Sequence, residues 1–177
     1  MSSWLILIHT GFNIMIFRLT QKLAEKVGLH HLPALPPVQN PFIDWTAHLF
    51  RVERVQYIIV TNTAALYSVV MFGSGITDDN EFIQRTLSFM SELMAKDYCE
   101  FFYQRLIAPH TAEISFSKAT DQRVLGSMNN LIVRADHYIT ERQMSPFDVS
   151  IEINELPVSY LRYRHPKNVF RQLKVVQ

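Results

Sequence analysis

The chain has 177 residues, 48% of them apolar and 19% charged, with a formal net charge of +1. This suits one ordinary domain with enough apolar material for a packed core, and it excludes global disorder. Near-neutral charge argues against a strongly basic nucleic-acid protein, and a lone cysteine, Cys99, excludes an internal disulfide and cysteine-rich zinc modules.

The opening, MSSWLILIHTGFNIMIF, has an apolar run but no basic residue before it and no small-residue cleavage pattern, so it makes a poor signal peptide. His9, Thr10, Gly11 and Asn13 interrupt the run and Arg18 ends it, so no membrane span is expected. With the lone thiol, this predicts a cytoplasmic location. Residues 1–14 read as an upstream extension, and 15–177 as a single α+β domain.

IMIFRL (14–19) is a β-rich run, and Thr20 then opens a short helix with Leu23, Ala24 and Val27 at helical spacing and Gly28 as its C′ residue. Four prolines make 30–41 an extended connection. From Trp45 to Phe72 the period changes to two. Three strands, WTAHLFRV, VQYIIVTN and LYSVVMF, are joined by connectors short enough for an antiparallel meander. Asp78 with Glu81 resembles a capping box at a helix start, and Asp97 with Glu100 repeats it. EISFSKA (113–119) reads as a strand leading into a long helix.

On that helix Val124, Leu125, Met128, Leu131, Ile132, Ala135 and Ile139 form one apolar band. Gly126 faces away from it. A glycine there predicts close approach by another part of the chain; a ligand or partner, and a tolerated glycine on a solvated face, are the alternatives. Asn129 lies at the band's edge, within reach of a neighbouring loop. FDVSIEIN and VSYLRYR read as two more strands, and Pro166 as N1 of a last short helix. The predicted fold class is α+β: an antiparallel sheet, a meander plus additional strands, with helices packed on one face.

Three segments, IMIFRLTQKLAEKVG, WTAHLFRVERVQYIIVTN and KATDQRVLGSMNNL, together with YRHPKNVF near the end, resemble a family of bacterial proteins known only as a numbered domain of unknown function. Its most specific piece is LGSMN. The resemblance implies a shared fold unit and brings no activity, cofactor or catalytic residue.

No Walker-type phosphate loop, nucleophile elbow or H-E-x-x-H motif occurs, and no cofactor or metal is expected. His30 and His31 read as a surface pair. His48, on the first meander strand, is a weak candidate general base against the simpler reading of a solvated or backbone-bonded histidine. Trp45 reads as core, with a ligand platform as the alternative, and Asn62 as a turn residue. At SKATDQR a strand runs into a helix N-terminus, where Thr120 or Asp121 caps the helix or an anion binds between Lys118 and Arg123.

Residues 78–100 carry six acidic and two basic side chains, and 155–177 five basic and one acidic; both segments read as solvated faces. Arg162, Arg164, Lys167 and Arg171, with interleaved aromatics, predict at most weak, salt-sensitive nucleic-acid binding. The leading expectation is a non-enzymatic interaction or regulatory protein with a protein partner. Nucleic-acid association comes second, and third an enzyme acting on a phosphorylated or nucleotide substrate near Lys118, Asp121 and Arg123. Convergence of Lys118, Arg123, His48 and Asn62 on one concavity would favour the enzyme.

Overall fold

The meander forms as its period-two pattern predicts. The computed structural model describes residues 14–175 and places β2 (Asp44–Val52), β3 (Val55–Asn62) and β4 (Ser68–Phe72) side by side and antiparallel. The extension expected over 1–14 lies outside the described residues, apart from Ile14. To the meander are added β1 (Met15–Leu19) and β5 (Ile114–Lys118), giving the order β4-β3-β2-β1-β5. β1 pairs in parallel with both β2 and β5, so the sheet is mixed, not antiparallel throughout. Parallel neighbours need a long crossover, and the Pro-rich connection before β2 supplies one.

Both faces of the sheet are buried. One carries Phe17, Trp45, Val60, Val69 and Met71. Helix α2 (Asp79–Lys96) reaches it, with Phe82 edge-on to Phe17 at 5.2 Å between ring centroids. The other carries Thr46, Ile59, Thr61 and Val70. There Arg18 and Asp44 form a buried ion pair at 2.8 Å. Arg18 also donates to the carbonyls of Leu35 and Pro36, tying the Pro-rich connection to the sheet. Every donor of this buried charge is used, as burial requires.

The helix ends follow their cap chemistry. Helix α1 (Gln21–Lys26) ends in a Schellman motif, with Gly28 N–H on Glu25 and Leu29 N–H on Ala24. Asp78 accepts from Glu81 N–H while the Glu81 carboxylate reaches back to Thr77. Asp97 instead closes α2 as its C-cap, and Cys99 stands at the N-cap of the three-residue turn α3 (Glu100–Phe102). Helix α4 (Gln122–Arg142) packs against β2 and β3.

Two expected strands are absent from the described residues. FDVSIEIN is helix α5 (Pro146–Asn154), opened by Ser145, which accepts from Asp148 N–H, and by Pro146 at N1. Its Ser150 and Asn154, one turn apart, bond the outward backbone groups of β4: Asn154 accepts from Ser68 N–H and donates to its carbonyl, and Ser150 accepts from Val70 N–H. VSYLRYR is a 3₁₀ turn, Ser159–Leu161, followed by Arg162 and Tyr163 in left-handed conformation, with a single bridge between Val158 and Arg164. Helix α6 (Pro166–Arg171) ends the fold, and its Phe170 stacks on Tyr67 at 4.8 Å.

Gly126 is not the site of a close approach: a side-chain carbon built there meets nothing within 4 Å. On α4 Ser127 is buried and donates to the Arg123 carbonyl.

Candidate functional site

The candidates read from the sequence do not gather in one concavity. Trp45 is wholly buried and donates its indole N–H to the Phe42 carbonyl at 2.8 Å, so neither ring face is open for stacking. Asn62, also buried, accepts from Ala64 and Ala65 N–H and donates to Pro41, the hydrogen bonding of a turn residue. His48 is half-buried, with Nδ1 3.0 Å from Thr20 Oγ1. Burial first, then the nearby Lys22 ammonium, holds its pKa below the ordinary histidine value.

At the start of α4, Asp121 Oδ1 accepts from Arg123 N–H at 2.9 Å and Val124 N–H at 3.2 Å. The cap carboxylate thus occupies the position an anion would take. Arg123 lies 5.3 Å over the Tyr160 ring. Thr120 and Asn129 are exposed.

The C-terminal cations divide in two. Arg162 and Arg164 are exposed, the latter bonded to Leu161 and Gln172. Lys167 pairs with Asp97 at 3.3 Å and with Glu155. Hydrogen bonding from Glu155, reinforced by Asp97, raises its pKa. Arg171 donates to Cys99 Sγ at 3.1 Å and to the Asp97 carbonyl. The acidic and basic segments therefore meet here instead of standing as separate solvated faces. Tyr67 completes the cluster, donating to Asp97 at 2.7 Å, and burial followed by the Asp97 charge pushes its hydroxyl pKa far up. A phenol so held is a donor fixed on its carboxylate and a poor base. This cluster ties β4, α2 and α6 together.

Two surface features of the described residues bear on function. The first is a cleft of about 350 Å³ between α1, the turn after it and the end of β5, with Gln21, Glu25, His30, His31 and Lys118 on its walls. Among the earlier candidates only Lys118 lines it. The second is an aromatic surface beyond α2, where Tyr98 is 94% exposed and Phe101 63%. Tyr98 takes a left-handed backbone, and Arg105 sits 5.9 Å over the Phe101 ring. The run FFY at 101–103 lies in this region, and its Phe102 turns inward onto Phe42 and Phe170. The exposure of Tyr98 had no sequence signal. Neither had the cleft, whose walls meet only through the β1–β5 pairing.

No curated protein and no solved structure matches the chain. Residues 16–169 match a domain of unknown function, DUF6933. The chain belongs to that family. The match runs from β1 into α6 and so takes in the whole sheet, the cleft and the aromatic surface. Among the described residues no helix is long and apolar enough to cross a membrane, and no group of three or more metal-ligating side chains is present.

Proposed function

We propose that this protein acts by protein association, through the aromatic surface around Tyr98 and Phe101, and that a second copy of the chain is the partner this surface fits. The exposure of these two rings within four residues carries the reading, because large aromatics left open in this way mark contact surfaces. Exposed Glu100 and Arg105 flank Phe101 with opposite charges. A two-fold contact sets each residue of the patch against another of the same patch, so Glu100 of one copy can face Arg105 of the other. Such self-complementarity favours a homotypic partner.

Nucleic acid has less support, since Lys167 and Arg171 are already engaged inside the molecule. Catalysis has less as well, because His48, Asn62 and Arg123 are not among the residues that line the cleft with Lys118. Cys99 as a buried free thiol is compatible with a reducing, cytoplasmic setting.

Each ring offers roughly 150–250 Å² of contact, short of the ~800 Å² per partner of a standard interface, so the association is weak and reversible. Sedimentation velocity between about 1 and 100 μM tests it, the range in which such affinities report. The parent chain should sediment faster as concentration rises, and a Tyr98→Ser/Phe101→Ser protein should not. A parent chain that stays monomeric throughout would refute the reading.

A further inference from the structure

We infer that the cleft between α1 and the end of β5 binds a small organic anion, a phosphate or carboxylate carried on a short carbon skeleton. Its volume of about 350 Å³ lies within the span of small-molecule sites. Lys118 brings an ammonium group that ion-pairs with nothing among the described residues. His30 and His31 add two imidazoles, each able to donate an N–H. The single acid, Glu25, accepts from Gln21 at 2.9 Å on the α1 wall. A second anionic group on the ligand would meet that carboxylate, so the ligand carries its charge at one end. Leu29 and Leu32, both half-buried, give apolar surface for the skeleton.

The walls are set before any ligand arrives. Lys118 N–H donates to the Pro33 carbonyl at 2.8 Å, which fixes the connection against the outer edge of β5. Leu29 N–H on Ala24 and Gly28 N–H on Glu25 fix the turn carrying the histidines to the end of α1. Gly28 takes φ +74°, a conformation that favours glycine. This site is separate from the start of α4, where Asp121 already satisfies the helix. It is also independent of the aromatic surface.

The test is titration of the full chain with inorganic phosphate, glycerol 3-phosphate and butyrate, followed by amide NMR shifts. Glycerol 3-phosphate or butyrate should give saturable shifts at Gln21, Glu25, Leu29 to Leu32 and Lys118, and the tighter of the two identifies the head group. Lys118→Gln, a change at an exposed side chain, should weaken that binding at least about tenfold through loss of a charge-assisted contact. Inorganic phosphate should bind more weakly, since it lacks the skeleton. The inference is overturned if no probe saturates by about 10 mM. It is equally overturned if inorganic phosphate binds as well as the organic anions, or if Lys118→Gln binds as the parent does.

Discussion

His48 is the side chain whose protonation the fold opposes. Thr20 holds its ring, while burial and the Lys22 charge disfavour the imidazolium. On acidification the unfolded chain therefore takes up this proton first, near the ordinary value of about 6.5. The contribution of His48 to stability is complete above that pH and is lost as pH falls through it toward the lower folded-state value. Denaturation midpoints should accordingly drop between about pH 7 and pH 5.5, and drop less in a His48→Gln protein, whose amide can still bond Thr20. Equal declines in the two proteins would show that His48 has no part in the acid sensitivity. Arg18 and Asp44 show the other way to bury charge, with both members paired and their remaining groups bonded.

At the scale of elements, α4 and α5 make opposite use of small and polar residues. Gly126 sits on an open part of α4, so Gly126→Ala should stabilise the protein by about 0.5–1 kcal/mol through helix propensity alone, read as a shift in denaturant midpoint. A destabilised alanine variant would restore the idea of a close approach. Asn154 on α5 holds the backbone of Ser68, covering a sheet edge that would otherwise offer unpaired groups. Replacing it with Leu keeps the bulk and orphans a buried N–H and C=O, each costing about 1–3 kcal/mol, so the midpoint should fall well below the parent's. Parent-like stability would mean that water reaches that edge.

These two helices also mark where sequence reading succeeds and where it fails. The band on α4 was legible because its apolar residues recur along most of a 21-residue helix. The nine residues of α5 were not, because Val149, Ile151 and Ile153 alternate as a strand would. What decides for helix is Ser145 and Pro146 at its start and the demand of β4 for polar partners, and the second of these is tertiary. The parallel placement of β1 was hidden for a similar reason, since a Pro-rich connection does not state where it returns the chain. The cleft was hidden with it: Lys118 was legible as one flank of an anion site, but its neighbours His30 and His31 come from the start of that connection.

At the scale of the whole molecule, α5 covers β4 and the connection at Pro33 covers the end of β5. Strand pairing at those positions is thereby blocked, which supports the proposed association through the aromatic surface beyond α2. The Asp97 cluster beneath it fixes that surface against α6, through Lys167 and Arg171. Charge reversal tests the homotypic arrangement most directly. Arg105→Glu alone sets Glu against Glu across the two-fold axis, and Glu100→Arg alone sets Arg against Arg, so each variant should remain monomeric. An equimolar mixture should associate again, because each Glu then faces an Arg. Sedimentation velocity on the two variants, separately and mixed, reads this out. Recovery of a faster-sedimenting species only in the mixture is the predicted result; a mixture that sediments as the separate variants do would contradict it.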